Sequence, residues 1–398
     1  MLPAPPDPLS TWRDEFPILP RTLYMISNSL GAMPREVGRS LAEYADTWAT
    51  RGVRAWEERW WEMALEVGNA VASIVGAPAG SVCMQDNVTS AQMAALSCLK
   101  PEGRRRTIVC TAADFPSMIH LYRAQIPLGF DLRVVPAGAD LNVDEQRLVE
   151  AIDETTLVVA FSHVLFRTSF IVDPRPVVER ARHVGALTML DVYQSAGIVP
   201  LDVTRLGVDF ATGGCLKWLC GGPGNGFLYA RPDLLATLHP RFTGWLALTR
   251  PFAFDVDDGE LREDAMRLMN GTPPIPAYYA ALPGLEIVGR VGVERIREHS
   301  KRMTAHLLEL VDRRGWSTPT SRDPERVAGT VAIDVPDALP ASRGLKARDV
   351  LVDYRPKVGI RVSPHFYNTF EELDRLVDTL ERVIAERAFG EAPSTRVT

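Results

Sequence analysis

Short apolar runs rich in β-branched residues alternate with longer amphipathic stretches through the first two-thirds of the chain. The pattern predicts strands at 107–111 (TIVCT), 131–136 (DLRVVP), 156–161 (TLVVAF), 186–191 (ALTMLD), 208–211 (VDFA) and 226–230 (GFLYA). Helix-period segments lie between them, including 117–125 and 174–183 (PRPVVERARH). Strands that alternate with helices imply βαβ units, and therefore a mainly parallel sheet covered on both faces.

Beyond Pro276 the rhythm changes. Residues 277–314 carry long helical periodicity with two expected interruptions, at Pro283-Gly284 and around 289–292. A β-type run at 329–335 (GTVAIDV) and another at 359–363 (GIRVS) precede a closing amphipathic helix over 369–387. That helix sets Leu373, Leu376, Val377, Leu380 and Val383 on one face. The expected organisation is an α/β fold: an N-terminal arm (1–30), a large domain (31–275) and a smaller α+β domain (276–398). Both ends read as loose, with four prolines in the first eight residues and an unpatterned tail, GEAPSTRVT.

Composition narrows the class. The 398 residues are 46% hydrophobic and 24% charged, too apolar for a disordered chain and enough to bury a large core. Forty-four basic against fifty acidic residues leave a net charge of −6, which points away from nucleic acid as a partner. Five cysteines (Cys83, Cys98, Cys110, Cys215, Cys220) show no CxxC pair and no zinc spacing, so no metal site is expected. They read as reduced thiols of a soluble cytoplasmic protein. No apolar run reaches the ~18 residues of a membrane span, and no membrane partner is expected.

The chemistry concentrates in DVYQSAGIVPLDVTRLGVDFATGGCLKWLCGGPGNG (191–226). Asp191 ends an apolar strand, and open α/β sheets bind ligands at the carboxyl ends of their strands. Lys217 lies 26 residues further on, after a second strand and a run of small residues. An apolar setting lowers a lysine's pKa and suits its amine to a Schiff base with a carbonyl. A carboxylate aimed at the same crevice would keep a pyridine nitrogen protonated, as pyridoxal phosphate chemistry requires. Taken singly, Lys217 would be a snorkelling surface lysine and Asp191 a turn residue. The pair together favours a cofactor site.

These residues carry a resemblance. The segment resembles the active-site core of fold-type I, class V pyridoxal-phosphate enzymes, and among them it is most similar to the kynureninase branch. YMISNSLG (24–31), the Trp-rich TWATRGVRAWEERWWE (47–62), DFPS (114–117), RFTGW (241–245) and GIRVSPHFYNTFEELDRLVDTL (359–380) resemble that family's elements in the family's order. The resemblance spans most of the chain. It implies a seven-stranded, mainly parallel sheet in a large domain with a smaller α+β domain. The implied cofactor is pyridoxal 5′-phosphate, the substrate a small-molecule amino acid, and the assembly a homodimer with a shared site.

Residue by residue, the resemblance implies Lys217 as the Schiff-base lysine and proton shuttle, with Asp191 on the pyridine nitrogen. It implies Gln194 on the ring hydroxyl, Phe115 on the ring face, and Val88, Thr89 and Trp245 on the phosphate. Thr272 would come from the neighbouring subunit. Arg361 would clamp the substrate's α-carboxylate, and Ser29 and Arg167 would lie on the substrate side. Arg167 reads as well as a structural ion pair, His163 as a core or supporting histidine, and 104–106 as a solvated basic loop. Without their flanking motifs, Phe115 and Trp245 would read as core aromatics.

Four positions depart from kynureninase: Gln194 stands where that branch has a histidine and many class V members a glutamine, and three more differ. Thr272 stands in place of an asparagine before Pro-Pro, Leu216 in place of a tyrosine before the lysine, and Val53 or a neighbour in place of a histidine. The leading expectation is hydrolytic Cβ–Cγ cleavage, of L-kynurenine to anthranilate and L-alanine, or a related lyase reaction. The alternative is a class V aminotransferase or an isopenicillin-N-epimerase-like enzyme. A cysteine desulfurase would need a nucleophilic cysteine on a late loop, and none follows Cys220. A non-catalytic binder would be expected to lose the lysine. A dehydrogenase or P-loop protein would need Gly-rich motifs that GGPGNG does not supply.

Overall fold

The structure is a computed structural model that describes residues 9–254, 256 and 259–386. The proline-rich start and the tail after Glu386 lie outside the described residues. Among the described residues twelve strands occur in chain order: β1 Leu23–Tyr24, β2 Val82–Gln85, β3 Thr107–Thr111, β4 Asp131–Val135, β5 Thr156–Ser162 and β6 Leu187–Asp191, then β7 Phe210–Gly214, β8 Gly226–Ala230, β9 Val331–Ile333, β10 Val350–Leu351, β11 Asp353–Arg355 and β12 Gly359–Val362.

Seven of them form one sheet in the order β2-β8-β7-β6-β5-β3-β4. Only β8 runs against its neighbours, pairing antiparallel with both β2 and β7. The carboxyl ends of β2, β3, β5, β6 and β7 therefore share one edge. β2, β3, β7 and β8 are buried at every residue, and β5 and β6 at all but one. That is why they read as continuous apolar runs rather than alternating ones. Helices Met63–Val75 and Pro174–Val184 cover the sheet with buried stripes such as Val67, Val71 and Val75, and Val177, Val178 and Ala181.

A second sheet, β11-β12-β9, is antiparallel and packs beneath the helices Val293–Arg313, Ala338–Lys346 and Phe370–Glu386. The last helix opens with a capping box. Thr369 N–H donates to Glu372 at 3.0 Å, and Glu372 N–H donates to the Thr369 hydroxyl at 3.3 Å. Its Leu373, Leu376, Val377, Leu380 and Val383 are fully buried in this second core.

The N-terminal segment ties the two cores together. β1 pairs in parallel with β10, and Leu23 and Met25 belong to the second core. Arg13 grips Glu372 with both ends of its guanidinium, at 3.0 and 2.7 Å. Pinned in this way, the following turn at 26–31 is delivered to the large sheet's carboxyl edge.

The structure departs from the expected elements in three places. β2 gave no signal, because VCMQ holds a single β-branched residue and ends on a polar one. β7 runs on to Gly214 where the sequence pattern ended at Ala211; its glycines pair with Gly226 and Phe227 of β8, so sheet pairing overrides their weak strand propensity. Helix Ile275–Val291 passes straight through Pro283 and breaks only at Gly292. Tyr278, Tyr279, Ala281, Leu285 and Val288 are buried on it, and this burial holds the helix against the loss of one backbone donor.

Leu376→Ala should destabilise the protein by about 2–5 kcal/mol, because it empties a fully buried site. Glu371→Ala, one turn earlier and exposed, should change stability by less than about 0.5 kcal/mol. Denaturant titration of the two variants checks the contrast.

Candidate functional site

The carboxyl edge of the large sheet holds a cavity of about 360 Å³. Each wall comes from a turn that leaves a strand. Asn87, Val88 and Thr89 follow β2; Phe115, Ser117 and Met118 follow β3. Ser162, Val164 and Phe166 continue β5, Asp191, Tyr193 and Gln194 continue β6, and Leu216 and Lys217 follow β7. Asn28 and Ser29 enter from the N-terminal turn, and Arg355 and Arg361 from the small sheet.

The expected pair meets here. Burial pulls the Lys217 amine well below its ordinary range, opposed chiefly by the charge of Asp191. Burial likewise pushes the Asp191 carboxyl up, opposed by the Tyr193 backbone N–H at 2.8 Å and by Lys217. Each group thus supplies a charge that partly offsets the other's desolvation.

The lysine loop is held from outside. Gly31 N–H donates to the Leu216 carbonyl at 2.9 Å, and a Cβ on Gly31 would stand 2.1 Å from the Lys217 carbonyl oxygen. Only glycine permits that approach. The NSLG turn is therefore a clamp on the lysine as well as a wall of the cavity.

Gln194 is fixed at both ends. Its Nε2 donates to the Asn28 carbonyl at 3.0 Å, and its Oε1 accepts from the Trp218 indole at 3.0 Å. Val88 and Thr89 open the ten-residue helix Val88–Ser97, capped by Asn87, whose side chain accepts from Ser90 N–H at 3.0 Å. The first N–H groups of a helix have no partner within it and favour an anion. Phe115 starts the next helix and is 43% exposed, standing edge-on to Phe166 at 5.2 Å. Asp114 beneath it braces two strand ends, accepting from Thr111 N–H and Ser162 N–H at 2.8 Å each.

Arg361 is buried and already committed. Its Nε donates to Asp353 at 2.8 Å, and its two terminal nitrogens bond Asp353 and the Phe166 carbonyl. Two of a guanidinium's five N–H donors remain for another acceptor. The sequence reading gave this arginine a substrate partner only; the structure adds a resident one.

Three expected residues do not line this cavity within one chain. Trp245 packs into an aromatic cluster with Trp61, Phe252 and Phe254. Thr272 is exposed. Arg167 lays its guanidinium 4.9 Å over the Phe166 ring instead of entering the cavity. His163 is buried outside this cavity, its pKa lowered to about 4 by burial.

Asn28, Tyr193 and Arg355 were missed. Arg355 lies 3.2 Å from Asp353 and shares that carboxylate with Arg361. Asn28 sits inside the NSLG motif, and neither its amide oxygen nor its amide nitrogen has a hydrogen-bond partner although both are buried. A buried unpaired amide on a cavity wall is a socket for a polar ligand. That orphan, the helix N-terminus and the lysine–aspartate pair fit a phosphate-bearing pyridine aldehyde.

Comparison with known proteins agrees with the geometry. The family model for class V aminotransferases matches residues 23–376. The chain belongs to the class V aminotransferase family. An uncharacterized aminotransferase, YcbU of Bacillus subtilis, is 31% identical over 373 residues, covering 93% of this chain and 96% of that one. A kynureninase of Pseudomonas fluorescens is 28% identical over 404 residues, covering 97% and 95%. Among solved structures, the cysteine desulfurase of Thermococcus onnurineus superposes with a TM-score of 0.83 at 22% identity, over 94% of this chain and 98% of that one. That last likeness speaks for the fold. This class V protein is a pyridoxal 5′-phosphate-dependent enzyme.

Because Asp191 is the main group that opposes the desolvation of Lys217, Asp191→Asn should lower the amine's pKa further. Amine labelling of Lys217 against pH in the cofactor-free protein, read by mass spectrometry, should reach its midpoint at lower pH in the variant. In both proteins it should fall below the midpoint of exposed lysines.

Proposed function

We propose that this enzyme carries out kynureninase-like hydrolytic cleavage of a Cβ–Cγ bond in an α-amino acid, with L-kynurenine giving anthranilate and L-alanine. The observation that carries the reading is Phe115, an aromatic ring held open to the cavity beside the lysine–aspartate pair. The near-full-length likeness to kynureninases supports it. No thiol suits a desulfurase: burial pushes all five up to about 12, and none follows Cys220.

Bound here, pyridoxal 5′-phosphate supplies an aldehyde for the amine and an electron sink for charge at the substrate's Cα. Lys217 would take that aldehyde and would then move the proton at Cα. Asp191 would keep the ring nitrogen protonated, and the second amide proton of Gln194 would serve the ring oxygen. The N–H groups of Val88 and Thr89 would hold the phosphate, and Phe115 would cover the ring face. Arg361 takes the substrate's α-carboxylate with its two uncommitted donors, beside Ser29, and Arg167 belongs to the substrate side through Phe166.

We further infer a homodimer that completes the site. The support is an apolar surface around Trp245 on which Phe252 and Phe254 stand exposed, with Thr272 also exposed. A second copy over this surface would bring Trp245 and Thr272 to the partner's phosphate. A cytoplasmic location accords with five free cysteines and with the finding that no described helix is long and apolar enough to cross a membrane.

A second reading, amino-group transfer or epimerisation, is favoured by the YcbU likeness and by Thr272, Leu216 and Val53. Leu216 lines the cavity without a hydroxyl, and Val53 is 80% exposed on the Trp-rich segment.

Purified protein given pyridoxal 5′-phosphate should gain a visible absorption band that borohydride bleaches and that Lys217→Ala lacks. Incubated with L-kynurenine or 3-hydroxykynurenine, it should release an anthranilate and alanine. Accumulation of the pyridoxamine form with another amino acid, and no anthranilate, would replace cleavage with transfer.

A further inference from the structure

Lys217 has an aromatic neighbour that no motif announced. Its Nζ lies 4.2 Å from the centroid of the Tyr193 ring. At that distance an ammonium is attracted to the negative face of the ring, and more strongly where water is excluded. The same residue holds the other member of the pair, since the Tyr193 backbone N–H donates to Asp191 Oδ1 at 2.8 Å. Main chain on the carboxylate and ring against the amine: one residue fixes both.

The neighbouring strand is shaped to admit this ring. A Cβ at Gly214, the last residue of β7, would stand 2.7 Å from Cε2, 2.8 Å from Cζ and 2.9 Å from the hydroxyl of Tyr193. Real Cβ atoms do not approach other atoms so closely, so any side chain at 214 would displace the ring. Tyr193 and Gly214 thus form a matched pair, the first in the turn two residues after the aspartate, the second at the end of β7 three residues before the lysine.

We propose that Tyr193 is the positioning residue of the reactive lysine: its ring face seats the protonated amine beside Asp191 and aims it into the cavity. The inference rests on the cofactor reading above and deepens it. To add to an aldehyde the ammonium must first release one proton to solvent. The neutral amine then forms a C=N bond and expels the carbonyl oxygen as water. The ring favours the charged form, so it acts against burial. Asp191 and Asp353 act in the same sense as the ring, while Arg361 and Arg355 act with burial. Facing Tyr193 itself are Cys215 and Asp191.

The test uses the full-length protein freed of cofactor and measures the rate of pyridoxal 5′-phosphate capture, followed at the visible band, against pH. Wild type is compared with Tyr193→Phe, Tyr193→Leu and Gly214→Ala, with circular dichroism to check folding. Tyr193→Phe keeps the ring face and should keep the wild-type midpoint. Tyr193→Leu should move the midpoint down by about one pH unit and lower the plateau rate at high pH several-fold. Gly214→Ala keeps the tyrosine but displaces its ring, and should shift the midpoint in the same direction even where Tyr193→Leu does not fold. A wild-type midpoint and plateau in the folded Leu or Ala variant would overturn the inference while leaving the cofactor reading intact. So would a Phe variant that shifts as far as the Leu variant. A wild-type protein that takes up no visible band would overturn both.

Discussion

Burying an amine and a carboxylate at the same sheet edge is the constraint on which the rest of this molecule turns. Either group alone in that cavity would be driven to its neutral form by desolvation. Together, Lys217 and Asp191 keep each other titratable at the pH where an amine must both lose and regain a proton. The arrangement requires them to be close, unscreened and immobile. Nearly every unusual feature nearby serves one of those requirements: the Gly31 clamp on the lysine loop, the Tyr193 backbone donor on Asp191, and the doubly bonded amide of Gln194.

The fold meets these demands by dividing labour between two cores. The large sheet contributes rigidity, because its strand ends are locked by neighbours on both sides and by Asp114, which bridges β3 and β5. The small sheet contributes the guanidinium wall. The chain between them is the N-terminal segment, whose β1 pairs with β10 while its next turn reaches Gln194 and Leu216. A segment at the start of the sequence therefore sets the geometry of a loop nearly two hundred residues later. Any movement of the small sheet would be felt at the lysine through that turn.

Legibility in the sequence followed signal length. Strands such as 107–111 and 226–230 were readable because burial on both faces leaves uninterrupted apolar runs, and the closing helix because seventeen residues sustain a period. β2, with a single β-branched residue, did not register, and the end of β7 was hidden by glycines whose reason lies in β8 and Tyr193. Lys217 and Asp191 were readable from their setting after apolar strands, and Gln194, Phe115, Val88, Thr89 and Ser29 through the family resemblance; all line the cavity. Asn28, Tyr193 and Arg355 were not, since an orphaned amide, a ring against an amine and a shared carboxylate are facts of three-dimensional pairing. The resemblance gave Arg361 a substrate carboxylate, but its resident anion, Asp353, is only eight residues away in its own sheet.

That resident pairing bears on what the cavity can accept. Arg355 and Arg361 face a single carboxylate, Asp353, so this wall carries one positive charge beyond what the protein itself neutralises. A desolvated guanidinium pair left so would be costly, and one carboxylate from a ligand offsets it. An α-amino acid brings one such group. Phe115, Phe166 and Met118 offer apolar surface to the same cavity. On the proposed reading, that charge would draw the α-carboxylate toward the small sheet. On that reading, discrimination among side chains would fall to shape and to the cavity's polar groups other than the pair, Asn28 and Ser29 among them. The lysine–aspartate pair would make the cavity reactive without making it selective.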